Sequence, residues 1–177
     1  VQIGTQLWMA ENLRTTKYND NTPISYHSAW RSVIPEYAWY NNDIIYKVPY
    51  GALYNFPAVN TGNLCPTGWH VASDQDWTVL AGYAGGLSVA GGKLKEIGTA
   101  HWNTPNTGAT DEFGFTMLPA GATQQYSAGF VSLGSGTCIW TSNQGITRSA
   151  SNDRVELVRS VGYNDWVKNS VRCIKNQ

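Results

Sequence analysis

The fourteen residues LCPTGWHVASDQDW, at positions 64 to 77, contain side chains that could form a catalytic group. A cysteine nucleophile, a histidine base and an aspartate that orients the base would be supplied by Cys65, His70 and Asp74. Their types fit nucleophilic catalysis, but the alternative is that this stretch is a structural corner. The elements around it decide between the two.

The same stretch carries the pattern of a helix start. Ser73 is a favoured N-cap, and Asp76 follows it at the position that completes a capping box. Apolar residues then recur at helical spacing, and a Gly-Gly pair at 85–86 predicts the helix end. Asp74 and Asp76 therefore have structural roles at the helix start, which favours a scaffold over an active site.

The remaining histidines give little support to an enzyme. His27 and His101 lie in turn-rich, aromatic surroundings, and neither accompanies a recognisable nucleophile motif. His70 lies in the short strand pattern WHVA, where a hydrogen-bonded structural role is expected. We therefore predict no enzymatic activity, with a cryptic site as the alternative.

Three cysteines allow three different single disulfide bonds as well as the fully reduced chain. We predict a Cys65–Cys173 bond, which ties the start of a subdomain to its final strand. Cys138 is flanked by Ile139 and Trp140 and is predicted to be a buried free thiol.

A metal site has weak support in the sequence. CxxC and HxxxH spacings are absent, so no metal or cofactor is predicted. The best place for a hard cation such as calcium is the run NTGATDEFGF, where Asp111 and Glu112, with Asn106, could supply oxygen ligands. The alternative is that these side chains bond to the backbone of their own loop.

Composition narrows the class of partner. The chain has 177 residues, a formal net charge of zero and only 14% charged residues, so it offers no basic surface for nucleic acid. Eight Trp and ten Tyr supply flat aromatic faces. No apolar run is long enough to span a bilayer. These features favour an exported, extracellular protein that contains β-structure.

The predicted elements indicate an α+β fold. A second helix is expected over Ser88–Glu96 and a short one over Tyr50–Phe56. Strands are expected in WHVA and in a later meander through GFVSLG, TCIWTS, RVELVRSV and VRCIK. We predict two short helices with a twisted antiparallel sheet, in one domain of residues 1–177, with an N-terminal extension (1–62) packed on a core (63–177).

Several long motifs, in order, resemble the Fibrobacter succinogenes major paralogous domain. They are IGTQLWMAENLRTTKYNDNTPI, YGALYNFPAVN, LCPTGWHVASDQDWTVL, VAGGKLKE, NTGATDEFGFTMLPAG and SVRC. The resemblance implies a bacterial cell-surface or secreted module that is similar to the C-type-lectin-like fold, in which the first and last strands pair. That pairing agrees with a Cys65–Cys173 bond.

The sequence lacks motifs that carry the activities of two related groups of proteins. The triplets of calcium-dependent sugar-binding lectins are missing, since YNDW at 163–166 has a different order. Formylglycine-generating enzymes need a close pair of cysteines, and Cys138 has no near partner in the sequence. Neither activity follows from the resemblance.

The segment 141–170 is the predicted binding surface, because the corresponding stretch of lectin-like proteins lies on one exposed face. Flat aromatics beside amides and carboxylates suit sugar rings, and also a protein partner. The predicted ligand contacts are Asn143, Asn152, Asp153, Tyr163, Asn164, Asp165 and Trp166. The expected function is binding of an extracellular ligand such as carbohydrate. The alternatives are a self-associating structural module and an ordinary solvated loop with Trp166 in the core.

Overall fold

The computed structural model describes residues 1–27 and 29–176. The helices of this part are α1 (Lys47–Tyr50), α2 (Phe56–Val59), α3 (Asp74–Tyr83) and α4 (Leu87–Leu94), with 3-10 turns at Tyr40–Asn42 and Ile44–Tyr46. The strands are β1 (Gln2–Ile3), β2 (Gln6–Leu7), β3 (Ser25–Tyr26), β4 (Glu36–Ala38), β5 (Leu53–Tyr54), β6 (Trp69–Val71), β7 (Ala120–Thr123), β8 (Phe130–Leu133), β9 (Gly136–Trp140), β10 (Thr147–Ser151), β11 (Val158–Ser160) and β12 (Cys173–Lys175). The predicted α+β class is confirmed.

The largest sheet has five strands in the order β11-β10-β9-β7-β8. Its neighbours are antiparallel except for β7 and β9, which run parallel. Strand β8 runs antiparallel to β7, and the chain reverses direction again between β8 and β9. Strand β9 therefore runs in the same direction as β7. The predicted antiparallel sheet is therefore mixed at one position.

Shorter ladders join distant parts of the chain. Strand β12 pairs antiparallel with β6, with Cys173 opposite Val71. An isolated bridge then joins Trp8 to Ile174 beside that pair. Strands β3, β4 and β5 form a separate sheet, and β1 and β2 form a hairpin. The predicted WHVA and VRCIK strands are thus partners of one another.

Helix α3 begins where the capping pattern predicts. The Ser73 hydroxyl accepts from the Asp76 backbone N–H (3.1 Å), and the Asp76 carboxylate accepts from the Ser73 N–H (2.8 Å). Trp77 and Leu80 lie on the buried face of the helix. Local sequence therefore fixes both the start of this helix and the side that packs inward.

Helix α4 ends at Leu94, two residues before the predicted end. Its glycines permit backbone contacts that no other residue would allow. A Cβ atom at Gly91 would lie 2.2 Å from the Glu156 carbonyl oxygen, and one at Gly92 would lie 2.6 Å from that of Gly108. The glycines that lower helix propensity here are required by close packing.

Lys95 follows α4 in an extended conformation and is fully buried. Its ammonium donates to the carbonyl oxygens of Thr107 (2.9 Å), Ser151 (2.9 Å) and Arg154 (2.8 Å). One cation therefore satisfies a carbonyl of the loop that contains Thr107, a carbonyl at the end of β10 and a carbonyl of the turn that follows it.

The predicted helix over Tyr50–Phe56 is wrong. Residues 53–54 form β5, in which the Tyr54 N–H donates to the Asn169 carbonyl (2.8 Å), so long-range pairing overrides local preference. Pro57 lies in the first turn of α2, where backbone N–H groups have no hydrogen-bond partner within the helix, so the lack of an N–H on proline costs nothing there.

Arg172, in the segment before β12, is fully buried. Its guanidinium donates to the Asn12 side chain (2.7 Å) and to the carbonyls of Met9 (2.9 Å), Phe115 (2.8 Å) and Thr116 (3.0 Å). Burial lowers the pKa of Arg172 to about 9, so the group stays charged at neutral pH. It joins the start, the middle and the last strand of the chain.

Two hydrophobic clusters form the interior. One lies around α3 and α4 and includes Ile3 and Trp8; the other surrounds Trp140 and includes Leu13. Residues before position 62 thus contribute to both clusters, while the division of the domain at that position stays a prediction.

The disulfide prediction is confirmed. Cys65 and Cys173 are bonded across a sequence separation of 108 residues, and Cys138 is a buried free cysteine. The bond lies within the second cluster and secures β12 to the segment that leads into β6.

Candidate ligand-binding site

The first two members of the possible catalytic group have structural partners. Cys65 is bonded to Cys173, so its sulfur is not a nucleophile. The His70 ring lies between the Asn176 side-chain oxygen (2.7 Å from Nδ1) and the Asp76 carboxylate (3.2 Å from Nε2). These contacts fasten the β6–β12 ladder to the start of α3.

The third member, Asp74, is the centre of an ion cluster. Arg148, nearly fully buried, donates to its carboxylate at 2.7 Å, and Arg159 donates at 3.0 Å to each oxygen. Burial raises the pKa of Asp74, but the two guanidinium groups outweigh this effect and leave that pKa below its ordinary value. Asp74 therefore joins α3 to β10 and β11 through its ion pairs with Arg148 and Arg159.

An open groove of about 880 Å³ lies on one face of the five-stranded sheet. In the register of β9 and β10, Ser149 is opposite Cys138 and Ser151 is opposite Gly136, so small side chains form its floor. The lining consists mostly of small and polar residues: Gly121, Ala122, Thr123, Gln124, Gln125, Tyr126, Val131, Ser132, Ser135, Gly136, Thr137, Cys138, Ser149, Ala150, Ser151, Asn152, Asp153 and Tyr163.

Two tyrosines border the groove. Tyr126 is 79% exposed, whereas Tyr163 is half-buried against Trp140, with its ring centroid 6.0 Å from that of Trp140. The nearby Cys138 and burial raise the pKa of Tyr163, and burial raises the pKa of Cys138. Both groups are protonated at neutral pH. The Cys138 thiol is therefore a poor nucleophile.

The structure brings three of the predicted ligand residues to the groove, namely Asn152, Asp153 and Tyr163. Asn152 is held by its side-chain donation to the Thr104 carbonyl (2.9 Å), and the Asp153 carboxylate accepts from the Ser151 hydroxyl (2.6 Å).

The other four predicted residues lie outside the groove lining. The Asn143 side chain accepts from the Asp74 backbone N–H at the start of α3 (2.9 Å). The Asp165 carboxylate accepts from Gln144 (2.7 Å) and the Asn164 carbonyl accepts from the N–H of Val167 (3.0 Å). The first two of these contacts join segments distant in sequence, and the third closes a local turn.

Trp166, the fourth of these residues, belongs to a second aromatic group. Its indole N–H donates to the Gln125 carbonyl (3.3 Å), and that of Trp30 donates to the Gln124 carbonyl (3.2 Å). The Arg31 guanidinium lies over both rings, 4.4 Å from the Trp30 centroid and 5.3 Å from that of Trp166. Trp166 is therefore half-buried and engaged with the segment between β7 and β8.

Sequence reasoning missed Tyr126 and the floor residues of the groove. Strand β10, TRSAS, has little apolar character and was not expected as a strand. Its signal is alternation of burial: Arg148 and Ala150 are buried, whereas Ser149 and Ser151 are partly exposed along the groove. Such alternation indicates a strand with one face that is not packed into the core.

The residues expected to suit a cation have protein partners. Both Asp111 carboxylate oxygens accept from Thr116, at 2.7 and 2.8 Å, and Glu112 forms an ion pair with Lys93 (3.1 Å). The Asn106 side-chain NH₂ donates to two carbonyls within its own region. Over residues 1–27 and 29–176, no three His, Cys, Asp or Glu side chains come together in a way that could hold a metal ion.

A buried charged group lies beside a second cavity of about 360 Å³, which His27 lines. Lys168 and Glu36 are both buried and form an ion pair (3.1 Å), and His27 Nδ1 lies 3.7 Å from the same Glu36 oxygen. Burial and the charge of Lys168 lower the pKa of His27, which outweighs the opposite effect of Glu36. The ring is therefore neutral at pH 7.

These features define a class: an α+β domain with one disulfide and an open, weakly charged groove on its main sheet. The chain belongs to the Fibrobacter succinogenes major domain family, whose sequence profile matches residues 1–175. No curated protein and no solved structure matches it significantly. Within the described residues, none of the helices has the length and apolar character needed to cross a membrane.

Proposed function

We propose that the chain is a non-enzymatic binding module that takes a neutral carbohydrate into the groove on the five-stranded sheet. The observation that carries this proposal is the chemistry of the lining, which combines hydroxyl and amide groups with one exposed aromatic ring, Tyr126. Its one carboxylate is that of Asp153, and the lining contains no lysine or arginine.

Sugar rings need both of these features. Their hydroxyl groups require paired donors and acceptors, which Ser, Gln and Asn side chains supply, and their C–H faces pack on flat aromatic rings. A volume of about 880 Å³ lies within the usual range of ligand sites. The single negative charge of Asp153 disfavours acidic sugars, so neutral ones are the proposed class.

The absence of catalysis is also part of the proposal. The groove has no histidine among its lining residues, and burial keeps the Cys138 thiol protonated. Of the residues first considered as ligand contacts, the proposal keeps Asn152, Asp153 and Tyr163.

The proposal also includes a C-type-lectin-like fold and an extracellular or cell-surface location, with adhesion as the biological role. The pairing of β6 with β12, secured by the Cys65–Cys173 bond, supports the fold assignment. The disulfide supports the location, because such bonds persist in oxidising compartments.

A glycan array with the wild-type chain tests the proposal. Tyr126→Ala should weaken binding of a neutral glycan roughly thirtyfold, the effect of about 2 kcal/mol typical of an aromatic anchor. Tyr83→Ala is the matched control, because Tyr83 is also exposed (59%) but lies on α3. No bound neutral glycan, or equal losses in the two variants, would contradict the proposal.

Self-association is a second candidate, supported by exposed apolar side chains around α1. Ile44, Ile45 and Val48 are each more than 60% exposed. Sedimentation at increasing concentration separates the candidates: assembly that Ile44→Ser and Ile45→Ser together abolish favours a structural role, whereas a monomer at all concentrations excludes it.

A further inference from the structure

The segment between β7 and β8, residues 124–129, separates the two cavities and is called the 124–129 loop below. Gln124, Gln125 and Tyr126 line the groove, whereas Ala128 and Gly129 line the smaller cavity. The position of this loop therefore determines the shape of the groove and the orientation of its exposed tyrosine.

The loop forms several hydrogen bonds within itself. The Gln124 N–H donates to the Gly129 carbonyl (3.0 Å), the Ser127 hydroxyl donates to the Gln124 side chain, and the Gln125 amide donates to the Tyr126 hydroxyl (2.9 Å). These bonds give the loop its internal shape but do not attach it to the domain.

Attachment comes chiefly from two indoles. Trp30 and Trp166 donate to the carbonyls of the consecutive residues Gln124 and Gln125. Among the described residues, one further hydrogen bond joins the loop to the rest of the chain, and it is long, at 3.5 Å from the Gln125 side-chain amide to the Gly162 carbonyl. Arg31 lies over both indole rings and holds them in place by cation–π attraction.

We propose that Trp30 and Trp166 are positioning residues for ligand binding, whose indole N–H groups fix the 124–129 loop and thereby the face of Tyr126. The inference rests on the proposed carbohydrate binding for its functional consequence. The sequence predicts that Trp166 contacts the ligand directly. In this proposal Trp166 instead acts through the loop and does not stack on the ligand.

Trp30→Phe and Trp166→Phe test the inference, because each keeps an aromatic ring and removes the N–H donor. The measurement is the rate of chymotrypsin cleavage after Tyr126 in the folded protein, located by peptide mass. We expect about fivefold faster cleavage in each variant, the factor that corresponds to one net hydrogen bond of about 1 kcal/mol.

Trp102→Phe is the matched control. Its indole N–H donates to the Met117 carbonyl (2.9 Å) in the other part of the interior, so this variant also loses one such bond. It should leave cleavage after Tyr126 unchanged. Rates within twofold of wild type in both test variants, or an equal increase in Trp102→Phe, would overturn the proposal.

Arg31→Ala keeps the proposal testable if a Phe variant fails to fold, because Arg31 is exposed. Loss of its cation–π contacts should accelerate the same cleavage roughly twofold to fivefold, and an unchanged rate counts against the proposal. Both Phe variants should also weaken any glycan found on the array. If cleavage is accelerated in the Phe variants but the wild-type chain binds no glycan, carbohydrate binding is refuted and the positioning of the loop by the two tryptophans is supported.

Discussion

Removing the disulfide should cost the domain a large part of its stability. The Cys65→Ala/Cys173→Ala double variant opens a loop closed across 108 residues of sequence. In the chain-entropy relation, a loop of this length corresponds to about 4.8 kcal/mol of the free energy of unfolding. For a chain of this size the melting temperature should fall by about 10–20 °C. This is an upper value, because a reduced unfolded chain keeps some compact structure.

Circular dichroism melting curves measure this change, with Cys138→Ala as the control. Cys138 is buried but unbonded, so its replacement removes a sulfur without opening a loop and should lower the melting temperature by a few degrees. Thiol labelling of the unreduced, unfolded wild type should find one reactive cysteine. A fall of less than 5 °C in the double variant, or one equal to the control, would refute this reasoning.

Three further predictions follow from the buried charges and the Asp111 loop. Lys95→Met leaves three carbonyls without their donor and should lower the free energy of unfolding by about 3 kcal/mol. The control Lys93→Met removes only a surface ion pair and should lower it by less than about 1 kcal/mol. Equal melting temperatures of the two variants would contradict this prediction. The pKa of His27 is lower in the folded protein than in the unfolded chain, so the unfolded chain takes up the proton first as the pH falls. The free energy of unfolding should therefore fall as the pH drops below the ordinary pKa of 6.5. Urea titrations at about pH 7.5 and 5.5 should show a smaller fall in His27→Gln than in wild type, and an identical fall would refute the assignment. EDTA should shift the melting temperature by less than about 2 °C, because both Asp111 carboxylate oxygens already accept hydrogen bonds from Thr116. A large fall in melting temperature that calcium reverses would contradict this prediction.

Local signals in the sequence were sufficient for parts of the scaffold. The capping box of Ser73 and Asp76 depends on residues three apart, so the start of α3 could be predicted. The Cys65–Cys173 bond could be chosen because few pairings of three cysteines exist. The helix start is local and the disulfide spans 108 residues, but both could be predicted from the types of a few residues.

The groove depends on contacts that local patterns do not encode. Trp166 has the composition of a ligand contact, but its indole is committed to the Gln125 carbonyl 41 residues away. Asn143 likewise has a partner 69 residues away, in the backbone of Asp74. Tyr126 was missed because a polar turn such as QQYSAG is typical of many loops, and its place beside the sheet is set by the strand order.

The buried guanidinium of Arg172 has a consequence for the order of events during synthesis. While the ribosome is still adding residues before 172, the carbonyls of Met9, Phe115 and Thr116 have no partner for the bonds that they finally accept. The partner strand of β6 and the second sulfur of the disulfide arrive one residue later, with Cys173. Vectorial, segment-by-segment folding of the nascent chain therefore cannot complete this domain. Its interior can close only once Arg172 and Cys173 are available to make these contacts.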